Sequence, residues 1–236
     1  MPSFEFDIHT HTIASGHATH ATIMEMIKAA RTANLTAIGI SDHGPATAGG
    51  AKPSYFRSLA HADKHRFGLE VLYGAEANIL DNNGLLDLED SILEKLDYGI
   101  ASMHRPVKKP GTAKENTLAY ISAMKNPNIH IIGHCDDTHY PVYYPDLVEA
   151  AMEHHVLLEI NNSSLSPEGY RGDTRHNVWM ILNLCKQFHY PVVLSSDSHG
   201  PGHVGDFSYA MEMVRAAEMP DELILNYSLE SLRDFL

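Results

Sequence analysis

The stretch that decides the reading of this chain is Phe4-Glu5-Phe6-Asp7-Ile8-His9-Thr10-His11. It alternates as a strand does, with Phe4, Phe6 and Ile8 toward one side and Glu5, Asp7, His9 and His11 toward the other. Two strand residues advance the chain by roughly 7 Å, so His9 and His11 leave one face as neighbours with Asp7 just behind them. Two imidazoles at that spacing reach a single small object such as a metal ion. A solvated strand face carrying two histidines by chance fits the same eight residues, and this stretch alone does not decide between them.

Beyond it the chain repeats one pattern: an apolar run, a polar exit, a helix. A loop carrying His17 follows. Thr22 with Glu25 is a capping-box signature and predicts a helix over 23–33. Residues 35–40 read as a strand ending in Ser41-Asp42-His43-Gly44-Pro45. Pro53 opens a second predicted helix that Gly68 closes. Strands are expected at 69–73, leading to Glu76; at 98–103, leading to His104; and at 130–133, leading to His134. Two more are expected at 156–160, leading to Asn161, Asn162 and Ser163, and at 192–195, leading to Asp197 and His199. Helices are expected around 89–96, after the capping pair Thr112 and Glu115 as far as residue 124, over 145–154 and over 174–188. Asp206 caps another, and two short helical pieces end the chain. About seven strand–helix alternations argue for a parallel sheet covered on both faces, for which a closed or nearly closed barrel and an open doubly wound sheet both serve. No composition break, linker or repeat divides residues 1–236, which are read as a single domain.

Composition bounds the function. The chain of 236 residues is 44% hydrophobic and 20% charged, as a soluble globular protein is. No apolar run is long enough to span a membrane. The first residues lack a basic segment followed by an apolar one, so no secretory leader is expected. Two cysteines, Cys135 and Cys185, make no disulfide framework and fit a reducing cytoplasm. A net charge of −13 repels nucleic acid and makes it an unexpected partner. The 17 histidines are scattered singly and in pairs, so a purification tag does not explain them.

In parallel α/β architectures the working residues stand at the C-terminal ends of strands. Here those ends carry His9, His11, His43, Glu76, His104, His134, Asp197 and His199, with His17 in the first exit loop. Singly, each reads as an ordinary surface group. Together, seven imidazoles and two carboxylates at one edge point to metal. Imidazole and carboxylate without a thiolate pair suit zinc, manganese, iron or nickel better than calcium or magnesium. Nine ligands exceed the need of one catalytic zinc and suit three ions if a carboxylate bridges. Glu76 is the expected bridge, having two oxygens to share, and Asp7 is expected to hold an imidazole in one tautomer.

Asp7-Ile-His9-Thr-His11, Ser41-Asp42-His43-Gly44, Gly74-Ala-Glu76-Ala-Asn78, His104, Gly133-His134, Glu159-Ile-Asn-Asn-Ser163 and Ser196-Asp197-Ser-His199 together resemble the PHP (polymerase and histidinol phosphatase) family, in particular its bacterial YcdX branch. The resemblance runs in order over almost the whole chain. It implies a distorted (β/α)7 barrel with a trinuclear metal centre that hydrolyses phosphate esters. Carried over by position, it gives His9, His11, Glu76 and Asp197 to one metal, Glu76, His104 and His134 to a second, and His17, His43 and His199 to a third. Where family members often have proline after the residue matching His134, this chain has Cys135 and two aspartates. Cys135 is then either a fourth ligand or a small buried thiol.

The expected activity is therefore a metal-dependent phosphatase. It would hydrolyse a small phosphate monoester by metal-bound hydroxide, with three divalent transition ions, zinc first and manganese or iron as alternatives. Such ions add +6 to the pocket floor, which lets a protein at −13 accept a dianionic ester. Glu76 and Asp197 are the expected catalytic carboxylates. Arg105 and Arg171 are candidates for the substrate phosphate. Lys108 and Lys109, in the loop after the fourth expected strand, read as surface cations at least as readily as phosphate contacts. A nuclease or phosphodiesterase would want a basic track beside the pocket, and only scattered lysines are present. A non-catalytic metal-binding regulatory module would be marked by lost ligands, and all nine positions are filled.

Overall fold

The computed structural model describes residues 3–236. In chain order, β1 (Phe6–Asp7) is followed by α1 (Ile23–Thr32), β2 (Ala37–Ile40) and α2 (Pro53–Leu59). Next come β3 (His65–Arg66), β4 (Leu69–Asn78), α3 (Asp90–Leu93), β5 (Tyr98–Ser102), α4 (Ala113–Met124), β6 (Ile131–Ile132) and α5 (Tyr144–His154). β7 (Leu157–Asn161) leads to α6 (Asn162–Leu165) and α7 (Arg175–Gln187), and β8 (Val192–Ser195) precedes α8 (Ser208–Ala216) and α9 (Leu229–Arg233). The strands pair in parallel in the order β1-β2-β4-β5-β6-β7-β8, which gives the seven-stranded barrel expected from the sequence and excludes the open doubly wound sheet.

Alternation along the strands sorts the core into two bodies. Phe6, Ile8, Ala37, Leu72, Tyr98, Ile100, Ile131, Leu157 and Val193, drawn from every strand of the barrel, form one cluster that fills its inside. Their sequence neighbours Ile38, Val71, Ala101, Ile132, Leu158 and Leu194 belong to a second, larger cluster with helix residues such as Met26 and Ile27 of α1 and Ile181 of α7. Each such leucine or isoleucine gains about 1.5–3 kcal/mol by full burial, so the two clusters carry most of the stability. Tyr98 is the largest side chain of the inner cluster. Its hydroxyl donates to the carbonyl of Ile8 at 2.7 Å. A Cβ at Gly39 would stand 2.4 Å from that hydroxyl, and one at Gly74 would stand 2.5 Å from the ring, so both positions must be bare.

β1 and β8 share no ladder, and a side chain stands in for it. Asn226 accepts from the Leu194 amide through Oδ1 at 2.7 Å. Its Nδ2 donates to the carbonyls of Leu194 at 2.8 Å and Phe6 at 3.2 Å, and its own carbonyl accepts from Glu5 N–H at 2.7 Å. Nearer the mouth, Thr10 bridges Ser198 in parallel. The barrel is thus nearly closed, with the Asn226 side chain and the Thr10–Ser198 bridge among the links across the gap.

Both predicted capping boxes form, at Thr22–Glu25 and Thr112–Glu115. The second helix does not run to Gly68. It stops at Leu59, and β3 then turns into β4 through Phe67 (φ 52°) and Gly68 (φ 80°), a hairpin added to the parallel barrel. Among the described residues no helix is long and apolar enough to cross a membrane.

Candidate metal centre

Beyond the inner cluster the inward positions turn polar. Glu76, Ser102, Glu159 and Ser195 follow Leu72, Ile100, Leu157 and Val193 on the same strands, and all four are fully buried. Glu76 stands in the middle. Its Oε2 lies 2.5 Å from His43 Nδ1, 3.5 Å from His9 Nε2 and 3.7 Å from His11 Nε2. Its Oε1 lies 2.8 Å from His134 Nε2 and 3.3 Å from His104 Nε2. Asp197 Oδ1 is 3.1 Å from His11 Nε2, 3.6 Å from His199 Nδ1 and 3.9 Å from His9 Nε2. His17 is at the rim, its ring centroid 4.9 Å from that of His43 and 5.0 Å from that of His199.

Eight of the nine predicted ligands therefore converge around two carboxylates, with His17 stacked beside them. Donor atoms within 4.8 Å of one another group as His9, His11 and Glu76; as His43, Glu76 and His104; and as His11, His43 and His199. The grouping departs from the family assignment, and His17, His134 and Asp197 stand in none of these triads. His43 and His11 each stand in two triads, because both lie between the carboxylate and the rim.

Five of the seven imidazoles are held from behind. His9 Nδ1 donates to Glu159 Oε1 at 2.6 Å, and His11 Nδ1 lies 3.0 Å from Ser15 Oγ, which itself donates to Asp42 at 2.6 Å. His104 Nδ1 donates to Asn78 Oδ1 at 2.8 Å, and His17 and His199 Nδ1 face the carbonyls of Ser15 and Asp197 at 3.1 and 3.2 Å. An acceptor behind Nδ1 assigns the proton there and leaves Nε2 with its lone pair, the form that binds a cation. His9 Nε2, His11 Nε2, His104 Nε2 and His199 Nε2 are all buried without a hydrogen-bond partner, as are His43 Nδ1 and Glu76 Oε2. These atoms lie close together yet lack hydrogen-bond geometry. Leaving a buried polar group unpaired costs about 1–3 kcal/mol, and a set of them aimed at common points fits cations.

Charge supports the same assignment. Burial, aided by His199 and His43, pushes His11 well below the usual imidazole range, and burial brings His199 down to about 4, so both are neutral lone-pair donors at pH 7. For His9 burial also lowers the value, but the carboxylates of Glu159, Glu76 and Asp197 outweigh it and raise the value overall. Burial raises Asp197, and the charges of Arg171 and His9 reverse that and hold it well below the carboxylate range. The field that draws a proton to His9 is the field that would draw a cation.

Two of the non-glycine residues with positive φ stand here. His134 (φ 29°) and Asp197 (φ 53°) both occupy the left-handed region, which costs a non-glycine residue about 1–3 kcal/mol. Each is tied down. Glu159 Oε2 accepts from His134 N–H at 2.5 Å, and Arg171 grips Asp197 Oδ2 at 2.8 Å.

Asp7 does not hold an imidazole. Its side chain accepts from Ser196 N–H at 3.2 Å, Ser196 Oγ at 2.5 Å and Gly205 N–H at 2.9 Å, fixing the loop that carries Asp197 and His199. Regular pairing of β1 ends at Asp7, so Asp7 and His9 no longer share a strand face. Glu159 does what was expected of Asp7: it orients His9 and accepts from Ser195 Oγ, the His134 amide and, at 3.0 Å, Asn161 Nδ2. Its mark in the sequence was an acid inside the apolar run of β7. The Cys135 side chain packs in the outer core and joins no donor group, so it is the small buried thiol.

The centre lies in a cavity of 1090 Å³. Arg105 is exposed on its wall, in the loop after β5. Arg171 also lines it but is 97% enclosed, and besides Asp197 it donates to Tyr170 Oη at 3.0 Å, Ser164 Oγ at 3.2 Å and Asn161 Oδ1 at 3.3 Å.

Comparison with known proteins agrees with this geometry. The PHP domain family profile matches residues 7–163. A protein of Clostridium acetobutylicum named a probable phosphatase is 40% identical over 98% of this chain and 93% of its own length. One of Caldicellulosiruptor saccharolyticus with the same name is 40% identical over 98% and 95%. Among solved structures, a histidinol phosphate phosphatase of Lactococcus lactis, complexed with zinc, L-histidinol and phosphate, superposes with a TM-score of 0.65 over 92% of this chain and 94% of that one at 17% identity, a likeness of fold. A barrel of seven parallel strands with histidines and a shared glutamate at its mouth, matched by profile and by near full-length relatives, places this chain in the PHP domain family.

Proposed function

We propose that the chain is a metal-dependent phosphatase that hydrolyses small phosphate monoesters at a centre of three transition ions, zinc first and manganese or iron as alternatives. The observation that carries this is the set of buried, unpaired histidine nitrogens around Glu76 and Asp197. The names and fold of the relatives favour the same class. His9, His11, Glu76 and Asp197 would hold one ion, Glu76, His104 and His134 a second, and His17, His43 and His199 a third. Such ions supply Lewis acidity and an ionised water at neutral pH.

The chain's own groups do the rest. Glu76 offers one oxygen to each side and keeps the donor groups in fixed relation. Glu159 and Asn78 hold His9 and His104 as lone-pair donors. Arg171 turns Asp197 so that Oδ2 is spoken for and Oδ1 faces the imidazoles. Arg105, with its head free in the cavity, meets the phosphoryl oxygens, and Arg171 adds its charge from the wall. A cavity of 1090 Å³ stands at the upper end of the range for metabolite-sized ligands. The −13 balance disfavours nucleic acid, and the cysteine usage fits a cytoplasmic location.

The test is to purify the protein without chelator, count and identify its metals, and assay phosphate release from p-nitrophenyl phosphate with zinc or manganese. Release that a chelator abolishes supports the proposal. Three bound ions with no release under any metal would leave a binding module and end the phosphatase reading.

A further inference from the structure

Asp87 belongs to none of the motifs that mark the site, yet its carboxylate reaches into it through one intermediary. Oδ1 accepts from the Asn78 backbone N–H at 2.8 Å. Oδ2 accepts from Asn78 Nδ2 at 2.6 Å and from the Ala46 backbone N–H at 2.9 Å. Gly44 makes room for it: a Cβ there would stand 2.4 Å from both carboxylate oxygens. One acid thus ties the loop after β2, which carries His43, to the end of β4.

We propose that Asp87 is a positioning residue that fixes the tautomer of His104 through the amide of Asn78. An ionised carboxylate only accepts hydrogen bonds, so the Asn78 end that faces it must be the NH₂. The Oδ1 end then faces His104 Nδ1 at 2.8 Å, and because that oxygen only accepts, Nδ1 carries the hydrogen. Nε2 is left with its lone pair, 3.3 Å from Glu76 Oε1 and otherwise unpartnered. Thr47 does not choose the orientation, because its hydroxyl stands beside both ends of the amide, 3.3 Å from Oδ1 and 3.1 Å from Nδ2. An amide at position 87 has one acceptor oxygen for three N–H donors. It either faces an N–H group with its own NH₂ or lets Asn78 turn over.

The inference rests on His104 being a metal ligand, as the proposed function has it, but its first readout needs no metal. Nitrogen-15 NMR of the ion-free protein, with His104 assigned through a His104→Gln variant, is expected to show the Nδ1–H form. Asp87→Asn and Asn78→Ala are both expected to shift it toward Nε2–H. The same two variants are expected to lower the affinity for cobalt(II), followed by its visible absorption, by ~10–100-fold. Asp87→Asn added to Asn78→Ala is expected to cost less than about twofold more. Asn78→Ala keeps the bonds of Asp87 to both backbone N–H groups, so it decides the matter even if the residue-87 variant does not fold. An unchanged His104 tautomer in Asn78→Ala, or a full loss from Asp87→Asn in that background, overturns the proposal. Wild-type protein that takes up no cobalt while its tautomers behave as stated overturns the phosphatase reading instead.

Discussion

The lower and upper halves of the barrel interior are built on the same strands and follow opposite rules. Leu72, Ile100, Leu157 and Val193 fill the lower half, and two or four residues further along Glu76, Ser102, Glu159 and Ser195 line the upper half. Tyr98 belongs to the lower half, its ring over bare glycine backbone. Below, the inward side chains form one buried hydrophobic cluster whose single hydroxyl, that of Tyr98, is paired with the Ile8 carbonyl. Above, buried nitrogens and a carboxylate oxygen stand without partners, and two residues sit in the left-handed region. The lower half is arranged for stability. The upper half gives stability up to keep a set of lone pairs aimed inward, as a functional site does.

The sharpest way to break that contrast is Glu76→Gln. It keeps shape and volume but removes the charge that every neighbouring imidazole faces. Activity with saturating zinc is expected to fall by more than the ~100-fold upper range for a residue behind the ligands, with fewer ions retained and the same circular dichroism. Leu157→Ala makes the opposite test two positions below Glu159. It is expected to cost about 2–5 kcal/mol in urea unfolding while kcat/KM of the folded fraction stays at wild type. A comparable loss of activity there would mean the halves are coupled. Glu159→Gln sits on the boundary. One of its two oxygens becomes an NH₂, so either His9 Nδ1–H or the His134 amide loses its acceptor. Metal affinity is expected to fall ~10–100-fold, read by competition with a chromophoric chelator.

The two halves also differ in how far the sequence revealed them. Strand exits announce themselves, since most apolar runs end within a residue or two of histidine, aspartate or glutamate, and this pointed to the mouth and to the imidazoles and carboxylates that gather there. What holds the ligands was harder to read, because the partners are distant in the chain. His9 and Glu159 are 150 residues apart, and Asp42 reaches Ser15 across 27. Asp7, adjacent in sequence to the ligands, serves Ser196 instead, because β1 ends sooner than its alternation does. Asn226 lies outside any strand, and no local pattern marks it as the stitch between β8 and β1. Gly68 was read as a helix stop, the commonest use of such a glycine. Its partner in the turn is Phe67, a residue that hairpin loops rarely place at positive φ, so the β3–β4 turn carried no recognisable signature.

The smallest effect belongs to neither half and calibrates both. Glu115 lies on the surface at the start of α4, where its carboxylate accepts from Thr112 N–H at 2.8 Å and from the Thr112 hydroxyl at 2.8 Å. Those bonds hold its pKa below the ordinary glutamate value. A carboxylate with a depressed folded-state pKa adds stability that is fully present above its unfolded value, about 4.3, and is lost as pH falls through the lower folded value. Glu115→Gln is therefore expected to lower the melting temperature slightly at pH 7 and to leave it nearly unchanged at pH 3, where wild type has lost the same contribution. Thr112→Ala, which removes the other half of the box, is expected to cost ~1 kcal/mol. Neither change touches the cavity, so metal content and kcat/KM stay at wild type. If either variant lowered metal content, the loops at the mouth would depend on the outer helices, and the division between the halves would have to be drawn around the barrel instead of across it.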